Sequence, residues 1–393
     1  MENLGIYVQI PFCASKCSYC NFSSQVARAD AFASYCRALE LEIRQLPSLY
    51  ESPGVGQQLL NLSVDTLYVG GGTPPIVGEE QLARILQALR DRFRFASSLE
   101  FTLEVTPGSA DASFLAWARR QGANRLSIGA QSFNDAELRA VGRLHSAAAA
   151  GELARQAHQV GITNLSLDLI AGLPHQTEAS WEESLRVAAT IGAEHISVYL
   201  FEIDEKSRLG REVLRHGTRY HAAAVPDEKF MAEAYEAARE FLCGEGYIQY
   251  EISNFALPGC ESRHNQKYWR LEPYIGLGAG AHSFDGEHRW ANETVPEVYV
   301  EKLARGDSPI AEVRRVSSQE QLEEFFFVGF RLSEGVDLAV ASRRWGADQV
   351  ACWEPTISAL AEKGWLERRG NTVRLSEQAY LISNEIFQEF VTV

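Results

Sequence analysis

The chain has 393 residues, of which 46% are hydrophobic and 23% are charged, and this composition is that of a globular protein rather than a disordered or fibrous one. It has 37 Lys and Arg residues against 52 Asp and Glu residues, a formal charge of −15 that repels nucleic acid and anionic membranes. We therefore expect no nucleic-acid partner and at most a peripheral membrane association. Neither a signal peptide nor a membrane-spanning run is visible, so the cytoplasm is the expected location.

Strand-like and helix-like patterns alternate along the first half of the chain. Apolar or β-branched runs predict six short strands, and amphipathic stretches between them predict helices. The strands are Ile6–Ile10, Thr66–Gly71, Phe101–Thr106, Arg125–Gln131, Asn164–Gly172 and His195–Ile203, and the helices are Ala31–Leu46, Glu79–Phe93, Asp111–Gln121, Ala147–Val160 and Thr177–Ile191. This alternation indicates an α/β protein with parallel strands and outer helices.

Residues 1–225 are predicted to form a partial (β/α)6 barrel. Polar residues stand at the carboxyl ends of several strands, where barrels of this type place their sites. The alternation by itself fits a flat, doubly wound sheet equally well.

The rest of the chain is predicted to form two further parts. Residues 226–310 begin with a helix, Pro226–Gly244, and continue as a Gly- and aromatic-rich extension with little periodicity. Residues 311–393 show helices, a hairpin at Trp365–Leu375 and a last helix, which predicts an α+β winged-helix-like domain. Because residues 319–393 carry twelve acidic and seven basic side chains, a net of −5, we expect this domain to pack against the barrel rather than to bind DNA.

Three of the seven cysteines, Cys13, Cys17 and Cys20, form a C-x3-C-x2-C motif directly after the first strand. A structural zinc site normally has four protein ligands, and no Cys or His follows closely, which makes zinc the less favoured alternative. Three thiolates on a [4Fe-4S] cluster leave one iron free to bind a small molecule. The spacing therefore favours a cluster with one open coordination site.

The cysteine motif on the loop after the first strand resembles that of the radical S-adenosylmethionine (SAM) superfamily. The resemblance implies a [4Fe-4S] cluster on Cys13, Cys17 and Cys20. It also implies that the amino and carboxylate groups of S-adenosyl-L-methionine bind the fourth iron, and that reduction of the sulfonium yields a 5′-deoxyadenosyl radical. Whether this chain cleaves the cofactor stays open.

The cofactor pocket is expected at the carboxyl ends of the strands. The second strand ends in a glycine-rich turn, where a ligand can approach the backbone closely. The chain resembles the subfamily that includes oxygen-independent coproporphyrinogen III oxidase, and this resemblance implies that nine residues line the SAM pocket. They are Tyr7, Tyr19, Gly71, Gly72, Thr73, Glu104, Gln131, Arg143 and Asp168.

Three features separate this chain from the oxidases within that subfamily. Phe22 stands where the oxidases have a further cysteine. Because only twelve residues precede Cys13, we also expect this chain to lack the oxidases' N-terminal segment. The third feature is H-N-Q-K-Y-W at residues 264–269, which resembles the H-N-x-x-Y-W signature of radical SAM heme chaperones.

Resemblance to the heme chaperones implies heme as a further cofactor, with His264, Tyr268 and Trp269 as candidate heme-binding residues. An imidazole can ligate iron, and aromatic rings can pack on a porphyrin. Taken without the resemblance, His264 is more typical of a structural histidine. The implied partner is a heme-accepting apoprotein, such as a respiratory one. The oxidase is the alternative, and a cluster-bearing sensor is a third option.

Overall fold

Six parallel strands form the middle of one twelve-stranded sheet in this computed structural model, which describes residues 3–51 and 53–392. The strand order is β12-β11-β10-β9-β1-β2-β3-β4-β5-β6-β8-β7. The strands are β1 Asn3–Ile10, β2 Ser63–Gly71, β3 Arg94–Val105, β4 Arg125–Gln131, β5 Asn164–Ala171, β6 His195–Leu200, β7 Ile248–Glu251, β8 Asn254–Ala256, β9 Tyr274–Leu277, β10 His282–Phe284, β11 His288–Asn292 and β12 Ile310–Arg315.

Helices connect these strands. They are α1 Ala29–Glu51, α2 Glu79–Arg92, α3 Ala112–Arg120, α4 Asp135–Ala140, α5 Ala147–Gln159, α6 Glu178–Ile191, α7 Arg208–Leu214, α8 Glu228–Gly244, α9 Arg263–Trp269 and α10 Pro296–Arg305. None of the helices in the described ranges is long and apolar enough to cross a bilayer.

The central strands have one apolar and one polar face. Along β5, Leu165 and Leu167 alternate with Ser166 and Asp168, and all but the partly covered Asp168 are buried. Successive side chains of a strand point to opposite faces, so the leucines pack under the helices while the polar side chains line the interior. The predicted α/β class with a mostly parallel, partial-barrel sheet is confirmed.

Short strands extend the sheet at both edges. β9 pairs in parallel with β1, and β8 pairs antiparallel with β6. The sequence predicted little regular structure over much of this region, whereas the structure has β7 to β11 there. These strands are only three to five residues long, which is too short for a period of two to be visible. The domain boundaries at residues 225 and 310 stay a prediction.

The C-terminal part has its own three-stranded sheet, in the order β13-β15-β14. Its strands are β13 Val336–Asp337, β14 Leu366–Arg369 and β15 Thr372–Leu375, and its helices are α11 Ser318–Gly329, α12 Leu338–Trp345, α13 Ala347–Ala351, α14 Glu354–Glu362 and α15 Ser383–Gln388. β14 and β15 form the predicted hairpin, with Gly370 at φ 63° in its turn. Phe326 of α11 packs on Phe330 and Phe390 within the main hydrophobic core.

A buried carboxylate fastens the added strands to α1. Glu42 accepts hydrogen bonds from the Gly278 amide at 2.8 Å, from Asn292 Nδ2 at 2.6 Å and from the Tyr299 hydroxyl at 2.6 Å. Burial raises the pKa of Glu42 to about 7, against the opposing effect of these three donors. One side chain therefore joins the end of β9, the end of β11 and α10 to the first helix.

Glu42 gives the folding stability a pH dependence that a glutamine abolishes. Because the folded pKa lies above the unfolded value, the carboxyl's contribution is fully present below about pH 4.5 and is lost as the pH rises through 7. We expect the advantage of the wild type over Glu42→Gln to shrink by up to about 3 kcal/mol across that range. Chemical denaturation at several pH values measures it, and a difference that does not change with pH contradicts the assignment.

Candidate cofactor site

The loop after β1 carries the three motif cysteines. Cys17 is buried, Cys13 and Cys20 are half-buried, and all three are free thiols. Backbone hydrogen bonds fix the loop. The Cys13 amide donates to the Gln25 carbonyl at 3.0 Å, and the Ser18 amide donates to the Val141 carbonyl at 3.0 Å. Burial raises the pKa of the Cys20 thiol, so a bound metal is needed to hold it as a thiolate.

A guanidinium lies beside the cysteine loop. Arg143 donates a hydrogen bond from Nη1 to the Cys17 sulfur at 3.7 Å and another from Nη2 to the Gly129 carbonyl. Tyr19 is near both Arg143 and Cys17, and burial raises the pKa of its phenol. The positive charge of Arg143 offsets the negative charge that thiolates bring to this buried position.

No three Cys, His, Asp or Glu side chains among the described residues converge closely enough to hold a single metal ion. The thiolates of a four-iron cluster bind different irons and do not need to meet at one point. Three cysteines on one ordered loop, next to a cation, fit such a cluster.

The glycine-rich turn at the end of β2 lies against the cysteine loop. The Thr73 amide donates to the Phe12 carbonyl at 2.7 Å, and a Cβ atom on Gly72 would come within 2.4 Å of that same oxygen. Gly71 has φ 102°, a conformation that other residues rarely adopt. Only glycine therefore allows this close approach of the two segments.

Glu104 lies at the end of β3, next to the glycine turn. Its carboxylate accepts hydrogen bonds from the Gly71 amide at 2.7 Å and from the Tyr68 hydroxyl at 2.8 Å. Burial raises its pKa to about 7. A carboxylate has about four lone-pair sites, so Glu104 keeps acceptor capacity for the α-amino group of an amino-acid ligand. This carboxylate and the glycine turn fit the methionine end of SAM.

Sequence reasoning missed two side chains that support this pocket. Gln9 accepts a hydrogen bond from the Tyr7 hydroxyl at 2.6 Å and donates to the Ser23 carbonyl at 3.1 Å, which joins β1 to the end of the cysteine loop. Tyr68 positions Glu104. Both lie on the inner face of their strands, and the period of two from Tyr7 to Gln9 and from Thr66 to Tyr68 was the available signal.

The remaining predicted SAM residues lie on the next two strands. Gln131 ends β4 with φ 70°, a left-handed conformation that costs free energy for a residue with a side chain. Asp168 accepts a hydrogen bond from Ser127 at 3.3 Å, and burial raises its pKa. Eight of the nine predicted pocket residues therefore lie on or directly after β1 to β5 or on the cysteine loop, and the ninth, Arg143, follows α4. The assignment of each to SAM stays a prediction.

The H-N-Q-K-Y-W segment forms α9, which packs against the interior of the barrel. Glu100 of β3 accepts hydrogen bonds from the backbone amides of Arg263 at 3.0 Å and His264 at 2.9 Å, at the helix start. Lys267 is buried and forms ion pairs with Asp65 at 2.9 Å and with Glu272 at 3.0 Å. Buried charges thus anchor this helix to β2 and β3.

Both ring nitrogens of His264 are used. Nδ1 lies 2.9 Å from the Thr66 hydroxyl, and Nε2 lies 2.8 Å from the Tyr268 hydroxyl. Burial lowers the pKa of His264 to about 3, with a further effect from Lys267, so the ring is neutral. In this conformation His264 is a structural histidine, and iron ligation requires one of the two hydrogen bonds to break.

The heme candidates and the SAM residues are neighbours in space. The His264 ring lies 5.3 Å from the Tyr68 ring and 6.4 Å from the Tyr7 ring. Tyr68 in turn holds Glu104. α9 therefore lies next to the residues predicted to bind SAM, whereas Trp269, at the end of α9, faces away toward the C-terminal domain and stacks with Arg331 at 4.5 Å.

Family models match two parts of the chain. The Radical SAM superfamily model matches residues 7–188, and the HemN C-terminal domain model matches residues 316–382. The Escherichia coli structure described as "Coproporphyrinogen III oxidase (HemN)" superposes with a TM-score of 0.85 over 100% of this chain and 90% of that one, at 24% identity, which shows the shared fold. The fold and the site thus define a radical SAM protein with an additional C-terminal domain.

Full-length relatives narrow the class to one family. The heme chaperone HemW of Bacillus subtilis (strain 168) is 34% identical over 98% of this chain and 98% of its own length. HemW of Escherichia coli (strain K12) is 28% identical over 99% of this chain and 98% of its own length. The mitochondrial radical S-adenosyl methionine domain-containing protein 1 of Bos taurus is 32% identical over 93% of this chain and 82% of its own length. The chain belongs to the HemW family.

Replacement of Cys17 tests the cluster ligands. We expect anaerobically reconstituted Cys17→Ala to lose most of its iron, sulfide and visible charge-transfer absorption, because two thiolates hold a cubane poorly. Cys243→Ala, which removes an exposed thiol outside the motif, is the matched control and should keep all three. A full cluster in Cys17→Ala refutes the ligand assignment.

Replacement of Glu104 tests the amino-group site. A hydrogen bond to a charged group contributes about 1.5–3 kcal/mol, so Glu104→Gln should weaken SAM binding by about 10- to 100-fold. Since burial raises the pKa of Glu104 to about 7, wild-type affinity should fall as the pH drops below 7, while the variant's affinity stays flat. Equilibrium dialysis measures both, with Glu80→Gln as the surface control. Equal affinities in all three proteins exclude this role.

Proposed function

We propose that this protein is a heme chaperone that binds heme and a SAM-ligated [4Fe-4S] cluster and delivers heme to an acceptor protein. The observation that best supports this proposal is the position of the H-N-Q-K-Y-W helix. Glu100 and Lys267 anchor this helix directly behind the proposed SAM pocket. Relatives named heme chaperone HemW match the chain over nearly its full length, which supports the same proposal.

Each proposed cofactor has a defined set of residues. The cluster is held by Cys13, Cys17 and Cys20, and SAM by the nine pocket residues around Glu104. When bound, the cluster supplies a metal site and a one-electron redox couple. The protein orients SAM through the glycine turn and the Glu104 carboxylate, and Arg143 balances the charge of the thiolates.

His264, Tyr268 and Trp269 are the proposed heme-binding residues. The geometry sets a condition on His264, because the Tyr268 hydroxyl occupies Nε2 and Thr66 occupies Nδ1. The Nε2 atom is the nitrogen more easily freed, since Tyr268 is only partly buried whereas Thr66 is fully buried. Heme ligation by His264 therefore requires the Tyr268 side chain to turn away.

Oxygen-independent coproporphyrinogen III oxidase is the alternative, and the overall similarity to the HemN fold is the observation that favours it. Phe22 argues against this alternative, because it stands at the position where the oxidases have a further cysteine. Its side chain is 70% exposed. Our proposal places the protein in the cytoplasm with heme and a heme-accepting apoprotein as partners, and a respiratory acceptor would require peripheral contact with a membrane.

Optical titration with heme tests the proposal. We expect saturable Soret changes, and we expect the heme affinity to fall at least about tenfold in His264→Ala. Loss of a residue that only supports a metal ligand already lowers metal affinity by about that factor. Tyr268→Phe frees Nε2 and should bind heme as tightly as the wild type or more tightly. His216→Ala, an exposed histidine outside the site, is the control. The loaded protein should then transfer heme to an apo-cytochrome.

Two outcomes separate the candidate functions. Absence of saturable heme binding, or binding without transfer, contradicts the chaperone proposal. Conversion of coproporphyrinogen to protoporphyrinogen, in the presence of SAM and a reductant, would instead support the oxidase function.

A further inference from the structure

A cleft of about 260 Å³ lies between α9, the strands that follow it and helix α11 of the C-terminal part. It is lined by Tyr268, Trp269, Leu271, Tyr274, Phe284, Arg289, Glu324, Phe327 and Val328. Several of these residues belong to a small hydrophobic cluster that is separate from the main core. The cleft therefore has apolar walls from two different parts of the fold.

The walls of the cleft suit a flat ligand. On one side the Tyr268 and Tyr274 rings meet edge to face, with centroids 4.7 Å apart, and Phe284 follows 6.4 Å from Tyr274. On the other side α11 presents Phe327 and Val328, both half-buried. Aromatic rings in offset or edge-on arrangements attract further aromatic systems. A planar, largely apolar ring system is the chemistry that fits between these two walls.

Two hydrogen-bond donors in the lining, the Trp269 indole and the Arg289 guanidinium, are available to polar groups of a ligand. The Trp269 Nε1 atom is buried and has no hydrogen-bond partner in the described part of the chain, so it is a donor available to an acceptor on a ligand. Arg289 donates to Glu324 from Nε and Nη2 and to the Tyr274 hydroxyl from Nη1. A guanidinium has five N–H donors, so two of them are left for a carboxylate of a ligand.

The cleft and the proposed heme histidine share one side chain. The Tyr268 ring forms part of the cleft wall, and its hydroxyl lies 2.8 Å from His264 Nε2. Tyr268 therefore stands between the cleft and the imidazole. A turn of this side chain, already required for His264 to ligate iron, would connect the imidazole with the space beside α11.

We infer that this cleft is the binding site for the porphyrin ring of heme. The aromatic walls contact the macrocycle, while Trp269 and Arg289 receive its carboxylate groups. The inference rests on the proposed function and extends it to Tyr274, Phe284 and Arg289 and to helix α11. Ligand pockets commonly measure about 300–1,000 Å³, so this smaller cleft leaves part of the macrocycle outside, as suits a protein that must pass its ligand on.

Filling the cleft from the α11 side tests the inference. Val328→Trp should weaken binding of metal-free protoporphyrin IX at least about tenfold, since it blocks one wall without touching His264. The matched control is Val340→Trp, at an exposed position on α12 outside the cleft, which should bind like the wild type. Fluorescence titration of the porphyrin against cluster-loaded protein gives the affinities, and unchanged SAM affinity shows that the variants are folded.

A second variant keeps the test decisive if Val328→Trp does not fold. Wild type should bind heme more tightly than heme dimethyl ester, and Arg289→Gln should reduce this ratio several-fold. Equal porphyrin binding by Val328→Trp and wild type, or a ratio that Arg289→Gln leaves unchanged, overturns the cleft as the site. Failure of the wild type to bind any of the three porphyrins overturns the proposed function itself.

Discussion

The proposed [4Fe-4S] cluster has four irons, and the loop after β1 offers three cysteine thiolates for them. This mismatch is the constraint on which the rest of the proposed site depends, because it leaves the fourth iron open to a small molecule. The neighbouring segments suit that purpose. The glycine turn lies directly against the cysteine loop, with the Thr73 amide bonded to the Phe12 carbonyl, and Glu104 offers a buried carboxylate at its edge.

The Glu104 carboxylate also joins the two proposed ligand sites. Tyr68 donates to Glu104 from its hydroxyl and lies with its ring 5.3 Å from His264. His264 in turn is bonded to Tyr268, which forms a wall of the aromatic cleft. If binding of SAM changes the affinity for heme, linkage requires heme to change the affinity for SAM by the same factor. The short path of side chains gives such coupling a physical route.

The sequence predicted the barrel well because its strands are long enough to show a pattern. β4 was predicted at Arg125–Gln131, as the structure has it. Strands such as β8 and β10, with three residues each, carry no readable period. The partners of single side chains were not predictable either. His264 is held by Thr66, 198 residues earlier, and only the folded chain shows that both ring nitrogens are engaged.

The Mössbauer spectrum of ⁵⁷Fe-enriched, anaerobically prepared protein tests the central claim most directly, when recorded with and without SAM. A [4Fe-4S] cluster held by three cysteines predicts four irons per chain, of which one changes its isomer shift when SAM is added. Four irons that do not respond to SAM, or a preparation that contains zinc and no sulfide, would contradict the account.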